Sequence, residues 1–406
     1  MSNEVLPAEA LAPDLPMGPN WRVRLRIAIL MVAIFLPVPL GMAGIRLIAF
    51  PENRNLAPFP TPSIKSFDVT GTVKGIDAWI ADHFTFRPLL ITAWSYFRFL
   101  LGDSANPDVL IGSDGWLYSH GGDDMLDDMG VQPAGLASIA AWRQAVVERR
   151  DWVESQGSRF LFVIAPRKET IYPEHLPPAL RKRGTDTQAT RLIDALKGTG
   201  VDPIYLRDVL LALKAKGVQA YYKLDTHWNE AGGLAAAEAL ADHIRTIIPA
   251  VDKRKFTVVG WTEPQIRWPE IERGTATLDY ATLLGLPFLK ETDAIVAPVD
   301  GWKATKQTIY RDGYILYEFT RADAPNLPTL VFYGDSYIFP LMRPLAEYFR
   351  RAVFLNPWEE YKGECSLFPP EFVLREHPDI VVNMRLERGF ATPVRNVREV
   401  SHKPCP

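Results

Sequence analysis

The longest apolar run in the chain comes early: residues 27 to 44, IAILMVAIFLPVPLGMAG, are 18 consecutive uncharged, nearly all apolar positions. In a helix they extend roughly 27 Å at ~1.5 Å per residue, about the thickness of a bilayer core. Pro37 and Pro39 argue against a buried helix of a soluble domain. Arg22, Arg24 and Arg26 directly precede the run, and that excess of positive charge predicts a cytoplasmic N-terminus with everything after about residue 50 translocated. A cleaved signal peptide is the rival reading, with small residues at Gly41 and Ala43. The length of the run and the polar, proline-containing 20 residues before it favour an uncleaved anchor. The chain thus divides into a cytoplasmic tail (1–24), a transmembrane signal anchor (25–48), a proline-rich stalk or linker (49–74) and a globular domain (75–406).

Within that domain the period of the apolar positions changes from element to element. Residues 75–101 carry large apolar side chains at helical spacing and predict one or two helices, and DVLIGSDGWLYS predicts two short strands about an Asp-Gly turn. From about 136 helices and strands alternate: a helix at 136–156, the buried strand RFLFVIAP (159–166), a helix at 187–198, the strand DPIYL (202–206), a helix at 207–216 and an alanine-rich helix at 229–247. Residues 250–325 lose the rhythm and are expected to form an excursion. The alternation returns with strand TLVFYG (329–334), a helix to about 350, strand AVFL (352–355) and strand DIVVNMRL (379–386). A mostly parallel sheet with helices on both faces, flavodoxin-like, is the architecture this predicts.

Composition adds exclusions. A formal net charge of -3 offers no electrostatic footprint for nucleic acid. Two cysteines, Cys365 and Cys405, are too few for a thiolate metal site; in an oxidising compartment they could form one bridge. The aspartates of GGDDMLDDMG (121–130) lack the ligand spacing of a calcium loop, and no paired-histidine zinc spacing occurs, so no metal and no cofactor is expected.

The candidate chemistry lies just before two of the expected helices. Ligand-facing groups of open α/β sheets sit beyond the carboxyl ends of strands. In TLVFYGDSYIF, Ser336 follows an apolar strand and opens a helix, where the first backbone N–H groups face the space an oxyanion would occupy. In YKLDTHWNEAGG, Asp225 and His227 share one loop just before another helix. A serine needs a base to take its proton, and a carboxylate beside that base fixes its tautomer. The bland alternative is a capping aspartate and a packed histidine.

Taken together, GDSY and DTHWN resemble the SGNH-hydrolase-like superfamily, and the order, with Asp-x-His ahead of the serine, resembles its alginate O-acetyltransferase (AlgJ/AlgX-type) branch. PENRNLAPFP, VLIGSDGWLY, APRKETIYPEHLP, LDYATLLGLP and VVNMRLER are similar to the same branch, spanning about 51–388. The resemblance implies an SGNH-hydrolase-like catalytic domain with Ser336 as nucleophile, His227 as base and Asp225 as its orienting acid. It also implies a polysaccharide acceptor, acetyl transfer through an acetyl-serine, a multi-pass membrane acyltransferase of the MBOAT type as acetyl donor, and a place on the periplasmic side of a bacterial inner membrane. Candidate oxyanion or substrate contacts are the Ser336 N–H, Tyr337, Trp228, Arg388 with Glu387 at the end of the last strand, and Lys168 and Tyr172, with His175, after an earlier one. The same triad would serve a carbohydrate acetylesterase, and a non-catalytic polysaccharide-binding subunit of an export complex is a third possibility.

Overall fold

The structure, a computed structural model, describes residues 21–43, 45, 56–61, 68–120, 135–181, 186–262, 278–311, 314–356, 368–391 and 394. The tail 1–20, most of the stalk, the aspartate-rich 121–130 and both cysteines lie outside the described residues. The chain forms two compact units, Met1–Phe97 and Arg98–Pro406.

In the first unit, helices α1 (Trp21–Phe35) and α2 (Pro37–Met42) carry the apolar run. Pro37 and Pro39 lack the N–H that would continue the ladder, which interrupts the helix near Leu36. The 21 residues Trp21–Gly41 are long and apolar enough to cross a membrane, by length and composition. Helices α3 (Val69–His83) and α4 (Arg87–Leu100) follow, two where one or two were expected. Asp68 caps α3, its Oδ1 accepting the Gly71 N–H at 2.9 Å.

The second unit opens with the short hairpin β1 (Val109–Ile111) and β2 (Leu117–Ser119). Helix α5 (Leu136–Ser155) leads to β3 (Arg159–Ala165), the single turn α6 (Lys168–Ile171), α7 (Gln188–Leu196), β4 (Ile204–Tyr205), α8 (Arg207–Ala215) and α9 (Glu230–Ile247). Next come β5 (Phe256–Thr262), α10 (Asp279–Leu283), β6 (Asp293–Pro298), β7 (Thr305–Arg311) and β8 (Tyr314–Thr320). The chain closes with β9 (Thr329–Tyr333), α11 (Ile338–Ala346), β10 (Arg351–Leu355), α12 (Pro370–Glu376) and β11 (Ile380–Leu386).

Among the described residues the main sheet runs β4-β3-β11-β9-β10-β8-β7. The first five strands are parallel, and every residue of β9 and β11 is buried, Asn383 and Arg385 included, because both faces of these central strands are covered. Successive side chains divide between the faces. Leu330, Phe332, Val382 and Met384 pack with α9 and α11, whereas Val331, Tyr333 and Val381 pack with α12, and Phe162 and Ile164 pack with α5 and α7. This is an α/β fold with a mixed sheet covered by helices on both faces.

The segment 250–325 is not wholly an excursion. Its β5 and β6 form a separate antiparallel pair, but β8 joins the main sheet antiparallel to β10, and β7 pairs with β8. Burial on both faces of β8, with Leu316 packed on one side of the sheet and Phe319 on the other, lets it cover the edge that β10 would otherwise leave open.

Candidate active site

Ser336 sits beyond the carboxyl end of β9, in the centre of the sheet. The turn there is too tight for a side chain at position 334: a Cβ on Gly334 would run into Ile338. The Gly334 N–H donates to Leu355 O at 3.1 Å. Asp335 secures the same turn, Oδ1 accepting the Tyr337 N–H at 3.2 Å and Oδ2 the Leu386 N–H at 2.8 Å. The Ser336 N–H has no acceptor among the described residues.

His227 comes from the loop before α9. A bridge between Tyr221 and Trp228 and a 3.2 Å bond from Tyr222 N–H to His227 O close this loop. Asn229 then caps α9, its side-chain oxygen accepting the Gly232 N–H at 2.9 Å. The glycine pair explains how the two junctions meet. A Cβ on Gly232 would strike Ala220 O, and one on Gly233 would lie 2.5 Å from Pro340 Cβ and 2.7 Å from its backbone carbon. Helix α9 therefore lies directly against α11, with His227 beside Ser336.

The resulting geometry is a relay of three side chains. His227 Nδ1 and its backbone N–H both donate to Asp225 Oδ1, at 2.7 and 2.8 Å. A carboxylate only accepts, so Nδ1 carries the proton and Nε2 faces Ser336 Oγ as acceptor, at 2.8 Å. Burial alone would lower the His227 pKa, but Asp225, Asp279 and Asp335 outweigh it and raise it. Burial pushes the Asp225 carboxyl up, and the imidazole and the N–H donors more than reverse this and hold it below its ordinary range. A neutral imidazole in this position can take the serine proton, and the resulting imidazolium is stabilised in place.

Asp279 escaped sequence reasoning. Its backbone N–H donates to Asp225 Oδ2 at 2.7 Å, and its own carboxylate lies 3.7 Å from His227 Nδ1. Burial, then the adjacent Asp225 charge, push its pKa up to about 7. It lies in LDYATLLGLP, where no local pattern separates it from an ordinary helix-start aspartate. Asp225, His227 and Asp279 place three potential metal ligands within 4.8 Å of one another. His227 Nδ1 and Asp225 Oδ1 already serve the hydrogen bond between them, so an ion would have to displace Nδ1–H from Oδ1.

The other expected contacts fall in two groups. Tyr337 and Trp228 are buried against the histidine: the Tyr337 ring lies 4.9 Å from the imidazole, its hydroxyl donates to Thr226 O at 2.7 Å, and Trp228 meets it edge to face. Arg388 is partly buried, and its charge reaches Asp279, Tyr280 and Tyr337. Lys168 and Tyr172 are structural in placement. The Lys168 ammonium is 1% exposed and donates to the carbonyls of Tyr222, Lys223 and Asp225 at 3.1, 3.1 and 2.6 Å, with burial lowering its pKa to about 8. The Tyr172 hydroxyl is likewise committed, accepting the Ala220 N–H at 2.8 Å. Glu387 is buried too, taking the Arg167 N–H at 2.9 Å and the hydroxyls of Thr170 and Tyr205. His175 pairs with Ser113 and Asp114 and stacks on Trp116.

A cleft of about 710 Å³ opens from Ser336 and His227 between β6 and α11, within the usual size of a small-ligand site. An α/β sheet with a serine at the end of a central strand, hydrogen-bonded to a histidine that an aspartate holds, at the head of a cleft, has the layout of an SGNH hydrolase-like domain.

Comparison with known proteins agrees. Residues 109–266 match the family model described as SGNH hydrolase-like domain, acetyltransferase AlgX; the match includes Asp225 and His227 and ends before Ser336. The chain is 28% identical over 229 residues to a probable alginate O-acetylase AlgJ of Pseudomonas syringae pv. tomato, covering 55% of this chain and 54% of that protein. It is 25% identical over 218 residues to the Pseudomonas aeruginosa protein of the same name, covering 53% and 51%. The chain thus spans about half the length of the curated relatives it matches. Among solved structures, it resembles the O-acetyltransferase domain of Pseudomonas putida AlgJ (TM-score 0.46, 18% identity, 71% of this chain and 94% of that one) and Bacillus cereus PatB1 with a sulfonyl adduct (0.48, 16%, 70% and 97%). The AlgJ/AlgX-type resemblance read from the motifs is borne out by the family-model match and the AlgJ relatives.

Proposed function

We propose that this protein is a membrane-anchored, periplasm-facing O-acetyltransferase that acetylates hydroxyls of an alginate-type exopolysaccharide through an acetyl-serine. The observation that carries the reading is the pair of hydrogen bonds on His227, 2.7 Å to Asp225 and 2.8 Å to Ser336, the latter spanning 109 positions of sequence. In the first half-reaction Ser336 Oγ attacks the acetyl carbonyl, His227 Nε2 takes the hydroxyl proton, and that proton leaves with the donor's leaving group. In the second, a sugar hydroxyl attacks the acetyl-serine, gives its proton to Nε2, and Ser336 recovers it as the ester departs. Asp225 keeps Nδ1 protonated throughout. The Ser336 N–H, without an acceptor among the described residues, is the candidate donor to the oxyanion of both tetrahedral intermediates.

Support for the acetyl group and the polysaccharide comes from the relatives named alginate O-acetylase. The apolar helix Trp21–Gly41 behind an arginine cluster supports an inner-membrane anchor, with a tail at 1–24, a stalk at 49–74 and the catalytic domain beyond it. Acetyl-CoA is cytoplasmic, so a domain on the far side needs its acetyl group delivered across the membrane. A multi-pass acyltransferase of the MBOAT type is the partner that the resemblance implies.

The test is intact mass of the full chain in detergent after incubation with an activated acetyl ester, beside Ser336→Ala. An acetyl-sized gain in the wild type alone is expected; gain in both, or in neither while both remain folded, would sink the nucleophile assignment. Adding an alginate oligosaccharide then separates transfer from hydrolysis, since an esterase releases free acetate whatever sugar is present.

A further inference from the structure

The cleft beside Ser336 contains a carboxyl group that the transfer steps do not use. Glu230 stands three positions after His227, in the first turn of α9, and lines the cleft together with Ser336. Its neighbour Asp293 is fully committed: Oδ1 accepts the N–H groups of Glu230 and Ala294 at 3.3 and 2.8 Å, and Oδ2 accepts the Tyr222 hydroxyl. The Glu230 carboxyl, by contrast, has no hydrogen-bond or ion-pair partner among the described residues. Burial and then the Asp293 charge raise its pKa to about 8, so near neutral pH it is largely a neutral group able both to donate and to accept. Glu230 is partly buried at the cleft wall, and a polar group partly shielded from water without a protein partner can exchange its remaining water for a ligand hydroxyl.

The remaining walls suit the same kind of ligand. Trp302 lines the cleft with the Arg343 guanidinium held 3.9 Å from its ring centroid, which fixes the indole in place. Phe339 and Met342 supply apolar surface between Trp302 and the serine end. A pyranose has this mixed character, with hydroxyls around its edge and C–H groups on its faces.

On the footing of the acyltransfer reading above, we propose that this cleft is the acceptor-sugar subsite, in which Glu230 hydrogen-bonds hydroxyls of the sugar and Trp302 packs on its face. Glu230 and Trp302 would then set acceptor affinity without touching the acyl donor.

The experiment uses the full chain in detergent with a de-O-acetylated alginate oligosaccharide as probe. Calorimetric binding is measured in the Ser336→Ala background, and acylation of Ser336 by an activated acetyl ester is followed separately by mass. Glu230→Ala and Trp302→Ala are each expected to weaken oligosaccharide binding by roughly tenfold or more. Glu230→Gln, which keeps a donor and an acceptor, should recover most of that loss, and the acylation rates should stay within about twofold of the wild type. Oligosaccharide binding unchanged in both alanine variants, or undetectable in the parent, overturns the subsite. So does a fall in the acylation rate as large as the fall in binding, because the cleft would then hold the donor. Binding that behaves as expected while wild-type Ser336 takes no acetyl group sinks the transferase reading and leaves the sugar site standing.

Discussion

Around His227 each polar atom has a defined task. Asp225 fixes the ring through Oδ1 and is itself held through Oδ2 by the Asp279 N–H, while Lys168 ties down the carbonyls of the same loop. On the proposed mechanism the Asp279 charge favours imidazolium, so Asp279→Asn, which keeps the backbone N–H in place, should lower the His227 pKa. The acid limb of the Ser336 acylation rate would then move to lower pH; a limb that stays put or moves up in a pH profile would remove Asp279 from the electrostatics of the base. Lys168→Met tests the clamp. It leaves carbonyls without their buried donor and should cost about 1–3 kcal/mol in denaturant unfolding, with acylation falling alongside. Equal stability of the variant would show that those carbonyls find other donors. At this scale the sequence exposed what was contiguous: Asp225 and His227 stand two apart, and Ser336 is marked by its strand and turn. Asp279, Asp293 and Glu230 were not legible, because their roles depend on segments far apart in the chain.

Two helix starts and the glycines that let them approach shape the site at the level of elements. Gly233 meets Pro340 backbone atoms, which cannot swing aside as the tip of a flexible side chain would. Gly233→Ala should therefore push α9 and α11 apart, costing about 1–3 kcal/mol and separating His227 from Ser336. Thermal unfolding and the acylation rate should fall together; wild-type values of both would mean that the helices yield at no cost. Helices and parallel strands were readable from the period of their apolar positions. The joining of β7 and β8 to the main sheet was not, since a strand-like run reads the same whether it pairs with the sheet or stands apart.

For the whole molecule, an apolar helix and a catalytic unit of the proposed type belong to different solvents. With the N-terminus in the cytoplasm and the domain translocated, a reporter active only in the periplasm should work when fused after residue 391 and fail when fused at the N-terminus. The reverse pattern would overturn the topology, and release of the domain into the soluble periplasmic fraction would indicate cleavage in place of anchoring. Alkaline extraction of membranes distinguishes these outcomes directly.

The sequence by itself determined the alternation of helix and strand, the apolar run behind its arginines, and the residue types just before two helix starts, because these follow from local periodicity, turn chemistry and composition. Tertiary structure alone decided that His227 Nε2 lies 2.8 Å from Ser336 Oγ, that Lys168 is buried under the loop when it might have faced a substrate, and that Glu230 stands without a partner among the described residues, beside an Asp293 whose two oxygens are both engaged. Such facts depend on how closely α9 meets α11 and on which strand edge β8 covers. Close approach and edge pairing are settled by packing between segments, to which the local pattern of a chain is blind.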